Sequence, residues 1–135
     1  MSVLESVRDY LSALPGLEEL ALDTLGRAPG DICLRPVSSE PVQKTYLDGS
    51  CRRQEQYVLW ARRSYDEHRQ TDGLWISRLA ETLEERTRTG DLPDLGAGKR
   101  AWSLRAIDTA APELLLEDGM LVDQLTLQLI YFMEG

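Results

Sequence analysis

The one histidine of this chain, His68, stands four residues before Asp72 and five before Gly73, an H-x-x-x-D-G spacing. An imidazole titrates near neutral pH, so a histidine oriented by its surroundings can act as a general base. A second candidate is Gly96-Ala97-Gly98-Lys99. Its glycines would let backbone approach a phosphate and its lysine would supply charge. A third is the pair of thiols, Cys33 and Cys51. No serine, histidine and acid are spaced to suggest a triad. The acid pairs Glu84-Glu85 and Glu117-Asp118 read as solvated faces.

Each candidate meets a plainer explanation. The histidine spacing resembles that of chloramphenicol acetyltransferases, in which the histidine is the base and the aspartate is structural. That resemblance implies a coenzyme A tunnel and a far longer chain. Here the motif falls in a polar, turn-prone linker, residues 63–73, where His68 would be solvated. The glycine–lysine run lacks the first glycine of a phosphate loop, because Pro93 stands there. Arg100 follows the lysine in place of Ser or Thr, and a helix precedes the run where a strand is required. Two cysteines without a secretory context read as free, partly buried thiols. With one histidine they offer no ligand spacing for zinc. The chain is therefore not expected to be an enzyme or to hold a cofactor or metal. Two alternatives remain: a small acetyl-transfer enzyme built on His68, Asp72 and Gly73, and a host protein-interaction module.

Composition narrows the partners. The chain has 135 residues, 42% apolar and 28% charged, which suits one globular domain over 1–135 with its own core. Its net charge is −8, which argues against general nucleic-acid binding and against docking on an anionic membrane. No apolar run is long enough for a membrane span, and MSVLESVRDY has no basic region leading into an apolar one, so a signal peptide is not expected. The charge is uneven. Residues 44–63 hold five bases (Lys44, Arg52, Arg53, Arg62, Arg63) against Asp48 and Glu55, net +3, while the last thirty residues hold six acids and no base. That contrast suggests head-to-tail complementarity between identical subunits.

The elements follow from period and punctuation. Ser2 with Glu5 is a capping box, and the apolar spacing from Val3 to Leu14 predicts a helix over 3–14, ended by Pro15-Gly16. Extended segments are expected at 18–25, 31–37 and 45–47. A hairpin turn at Asp48-Gly49-Ser50 leads into a strand over 51–62, with Tyr57, Leu59 and Ala61 on one face. Trp75, Ile76, Leu79, Ala80 and Leu83 predict a helix over 74–88, with Gly90 as its C′ residue. A loop over 90–99 follows, then a strand over 101–108 with Trp102, Leu104 and Ala106 on one side. A weak extended patch is expected at 114–116, a turn at 118–119, and a last strand over 122–133. Trp60, Trp75 and Trp102 are expected as core or interface anchors. The order predicts an α+β fold, a mainly antiparallel β-sheet packed with two principal α-helices.

Residues 42–63 also resemble a segment of prophage proteins from Gram-positive bacteria, in which a Y-x-DGS-x-x-x-Q hairpin leads into an aromatic-rich strand ending in A-x-R. Gly90-Asp91-Leu92-Pro93-Asp94-Leu95-Gly96-Ala97-Gly98-Lys99 is similar to that family's GNLPELGEGK loop, and Ile130-Tyr131-Phe132-Met133-Glu134 to its VYFQE end. The 63–73 linker is shorter than in the family, and Ala97 stands where an acid is common. The family is named minor capsid protein. A chloramphenicol-resistance label on some members has no physical support. Its place in gene order, just before the tail-tube protein, implies a tail terminator or head–tail joining role. The resemblance thus implies a tail-terminator-like domain, made in the bacterial host cytoplasm and residing at the virion's head–tail junction. Its partners would be itself, in a ring with a hexamer favoured, the tail-tube protein and the head–tail connector. The hairpin tip at 48–53 and the loop at 90–100 are the expected contact elements, with Arg52, Arg53, Lys99 and Arg100 as the interface residues.

Overall fold

A computed structural model describes residues 2–14, 17–22, 32–37, 42–64, 74–115 and 120–134. Helix α1 is Val3–Ser12 and α2 is Leu74–Thr89. The strands are β1 Ala21–Leu22, β2 Ile32–Val37, β3 Val42–Thr45, β4 Cys51–Ser64, β5 Lys99–Leu115 and β6 Met120–Met133. The fold is α+β, with a six-stranded, mostly antiparallel sheet and two helices.

The capping box starts α1 as expected. The Ser2 hydroxyl accepts from the Glu5 N–H at 3.1 Å, and the Glu5 carboxylate accepts from the Ser2 N–H at 3.1 Å. Those bonds, the one from the Ser2 backbone foremost, hold the Glu5 carboxyl below its usual value. The helix stops at Ser12, short of the expected 14. From there the N–H groups of Leu14, Leu17 and Leu20 donate to the carbonyls of Leu11, Leu14 and Leu17 at 3.0, 3.1 and 3.2 Å. Bonds of this three-residue span set every third side chain on one side, and all four leucines are buried. The expected strand over 18–25 is thereby corrected. Residues 18–20 belong to these turns, only Ala21–Leu22 is strand, and 23–25 lie outside the described residues.

The sheet order is β1-β2-β4-β6-β5, and β3 pairs with β4 beyond the end of β2. Val37 lies opposite Gln56 and Val42 opposite Arg53, so β2 and β3 follow one another along one edge of β4. β1 runs parallel to β2, so the sheet is mixed, with its other pairs antiparallel, within the mainly antiparallel sheet expected. The third extended piece is Val42–Thr45, earlier than the expected 45–47, because Tyr46–Ser50 closes the hairpin. Tyr46 N–H donates to the Ser50 carbonyl at 2.8 Å, and Gly49 takes φ 90°.

One face of the sheet carries Leu34, Tyr57, Leu59, Ala61, Leu125, Leu127, Leu129 and Tyr131, all buried in one cluster with Val7 and Leu11 of α1 and Ile76, Leu79 and Leu83 of α2. Burying each large apolar side chain stabilises the fold by about 1.5–3 kcal/mol. The side chain of Trp75 lies outside the described residues. α2 ends in a Schellman motif: Gly90, at φ 83°, donates to the Thr87 carbonyl at 3.3 Å, and Asp91 donates to the Arg86 carbonyl at 2.8 Å. The Tyr10 hydroxyl donates to the Asp91 carbonyl at 2.7 Å and ties α1 to that end.

β5 departs most from expectation. The segment 101–108 and residues 114 and 115 of the expected patch belong to one strand, Lys99–Leu115, and Lys99 opens it where a loop was expected; residue 116 lies outside the described residues. Its register against β6 slips at Ala101/Ser103, Ala106/Asp108 and Ala110/Glu113. Each slip is a bulge that inserts one residue and breaks the alternation. Trp102 therefore does not join Leu104 in the core; it is 56% exposed, while Leu104 is buried. The turn expected at 118–119 lies outside the described residues.

Candidate functional site

The hairpin and the β5 start sit 35 residues and more apart in sequence, yet the sheet register brings them to the same end of β6. Cys51 and Lys99 both pair with Met133, Arg52 and Arg100 both pair with Phe132, and Arg53 and Ala101 both pair with Tyr131. The Glu134 N–H donates to the Gly98 carbonyl at 2.8 Å and holds the two ends together. The four expected interface residues thus converge on three consecutive residues of β6.

They split between the two faces. Directly opposed residues in a sheet share a face. Arg53 shares the helix-covered side with Cys51, Glu55, Tyr57 and Tyr131. The neighbouring Cys51 sulfur and Tyr131 hydroxyl favour the charged form of the Arg53 guanidinium, whose Nε is buried without a hydrogen-bond partner among the described residues. Tyr57 and Tyr131 both donate to Glu55, Tyr131 at 3.4 Å. Burial first, then the Glu55 carboxylate, pushes both phenols above their usual value. This cluster is structural: Glu55 satisfies the two phenol hydroxyls at the margin of the core.

Arg52 and Arg100 lie on the opposite face. Lys44 extends them, because it pairs directly with Arg52. Lys44, Arg52, Phe132 and Arg100 therefore form one row across β3, β4, β6 and β5. Aromatic rings frame the row. Trp102 meets Phe132 edge to face at 5.6 Å, Tyr46 lies 6.4 Å from Phe132, and the Lys44 ammonium sits 5.3 Å over the Tyr46 ring. Asp48 at the turn accepts from the Ser50 N–H at 2.9 Å and the Ser50 hydroxyl at 2.5 Å, with the hydroxyl bond the larger cause of its lowered carboxyl pKa. Lys44, Arg52, Lys99 and Arg100 have no carboxylate partner among the described residues, and the Arg52 Nε is buried without a hydrogen-bond partner there. Such a group is suited to bind a surface or an anion.

Sequence reasoning missed Lys44, Tyr46, Trp102 and Phe132 as site residues. Lys44 was within reach: a hairpin centred on Asp48 places 44 opposite 52. Trp102 was not, because a bulge decides its face.

The other chemical candidates fare differently. His68, Asp72 and Gly73 lie outside the described residues. Gly96 and Gly98 take φ 94° and 77° in a turn that leads into β5, so the glycine–lysine run precedes a strand, whereas a phosphate loop opens a helix. Cys33 pairs with Trp60, nine residues along β4 from Cys51, and the two cysteines are not joined by a disulfide. No described helix is long and apolar enough to cross a membrane. The contrast between a basic 44–63 and an acidic C-terminal thirty is not a contrast between distant regions, because β4 pairs with β6 along its whole length.

No family model matches this chain, and no curated protein matches its sequence.

Proposed function

We propose that this chain is a virion structural protein of a long-tailed phage, a tail-terminator-like, head–tail joining subunit that works as an oligomeric ring. The observation that carries this is the meeting of Arg52 and Arg100, from two separate segments, on either side of Phe132. Both segments belong to the stretches that resemble the prophage minor capsid family. The α+β architecture with its two-layer core suits a small subunit whose second sheet face is left for contacts. In this role the ring covers the open end of the tail tube, where subunits would otherwise keep adding. Interface burial drives the association, and charge sets the choice of partner. The tail-tube protein and the head–tail connector are the partners on either side.

Sedimentation of the purified protein, alone and with tail tubes and connectors from the same gene cluster, tests this. The expected species is a discrete ring, six subunits favoured, alone or on the tube. A strict monomer that ignores both partners contradicts it. The flanking genes offer a second check, since capsid and tail genes are expected on either side.

A further inference from the structure

We infer that the ring contact is heterologous, with the Lys44–Arg52–Arg100 row of one copy seated on the helix layer of the next. This deepens the ring reading and rests on it.

The first ground is a local conflict. Like charges placed directly opposite in a sheet are destabilising, yet Lys44 and Arg52 are direct partners and Arg100 follows across Phe132. Within a monomer the Lys44 ammonium has the Tyr46 ring, while Arg52 and Arg100 have no carboxylate partner among the described residues. An anionic surface laid across the row relieves the repulsion and gives the buried Arg52 Nε an acceptor. The second ground is the sign of the whole face. At its strand positions stand Arg35, Lys44, Arg52, Arg62, Arg100 and Arg105 against two acids, Asp108 and Glu113, both toward the end of β5 away from the row, net +4. Arg105 reaches round the β5 edge to Glu84 at 3.5 Å. Glu134 lies just past the strand end.

The opposite layer has the opposite sign. Residues 2–14, 17–20 and 74–98 lie on the helix side and hold nine acids against four arginines, net −5. Glu19 and Glu81 are exposed there. A subunit basic on one face and acidic on the other complements a copy of itself in head-to-tail stacking, which closes a ring when the rotation per step allows. A nucleic acid is disfavoured as occupant, since the chain as a whole carries −8.

The test is a charge swap read by sedimentation. Arg52→Glu with Arg100→Glu makes the sheet face acidic; Glu19→Lys with Glu81→Lys makes the helix layer basic. Each pair alone is expected to weaken self-association by about tenfold or more. An equimolar mixture of the two is expected to recover it, because every contact in an alternating assembly is again complementary. Recovery also shows that both variants fold. Wild-type association is expected to weaken as salt rises from about 0.05 to about 0.5 M. If wild type forms rings and neither pair changes them, this contact is overturned while the ring reading stands. If wild type forms salt-sensitive open chains that the mixture restores, the contact stands and the closed ring falls. A monomeric wild type, alone and with tail tubes, overturns both. So does a single-stranded oligonucleotide that binds the row, in an Arg52- and Arg100-dependent way, more tightly than a second copy does.

Discussion

The hydroxyl of Thr87 accepts a hydrogen bond from the Leu104 N–H at 3.1 Å and donates one to the Leu104 carbonyl at 3.0 Å. A side chain of α2 thus occupies the place that a further strand would take beside β5. The long edge of the sheet is protected here by a helix and along its length by three bulges. At the other edge β1 is only two residues long. Short, bulged or covered edges keep a sheet from pairing indiscriminately.

Thr87→Val keeps the shape of the side chain and removes both bonds. It leaves the Leu104 backbone groups unsatisfied, at a cost of about 1–3 kcal/mol. Urea unfolding is expected to show that loss, with concentration-dependent aggregation through the freed edge. An unchanged midpoint would mean water serves those groups equally well.

Alkaline pH reports on the cluster beside Arg53. Tyr57 is buried and donates to Glu55, and its folded pKa lies well above the usual 10.0. A raised pKa means stability that is complete below the unfolded value and lost as pH rises beyond it. Stability should therefore decline above about pH 10, and Tyr57 should ionise only with unfolding. A tyrosinate absorbance titration that shows all five tyrosines ionising together near 10, before the fold is lost, would contradict this.

How much of this was legible beforehand depends on whether local signals decided the outcome. Ser2, Glu5, Gly49 and Gly90 act within a few residues of themselves, so the cap, the hairpin and the end of α2 were readable. The strict alternation of Leu125, Leu127, Leu129 and Tyr131 marked the core face of β6 for the same reason. β5 was not readable, because its bulges are set by pairing with β6 and break the period that would announce the strand. Leu20 misled because it was read with Leu22 as part of a strand, whereas its spacing of three from Leu17 and Leu14 places it in successive turns. Of the site, Arg52 and Arg100 were picked from separate segments. Their junction at Phe132 depends on β6 lying between them, which no local pattern states.

Acid pH reports on α1. The Glu5 carboxyl is held below its usual value of 4.5 by its bonds to Ser2. A depressed pKa gives stability that is present above the unfolded value and lost as pH falls through the folded one. Glu5→Gln keeps a capping-box side chain but no longer titrates. Amide protection across α1, taken relative to the intrinsic exchange rate at each pH, is expected to fall below about pH 4.5 in wild type and to change less in the variant. Parallel pH profiles in the two proteins would refute this.

The central claim is that this chain ends tail-tube growth by capping it as a ring. The most direct measurement is the length of assembling tail tubes, seen by electron microscopy, with and without the protein. The predicted result is that elongation stops and a ring appears at one end of each tube. Tubes that keep growing to the same lengths, with bare ends, would contradict it.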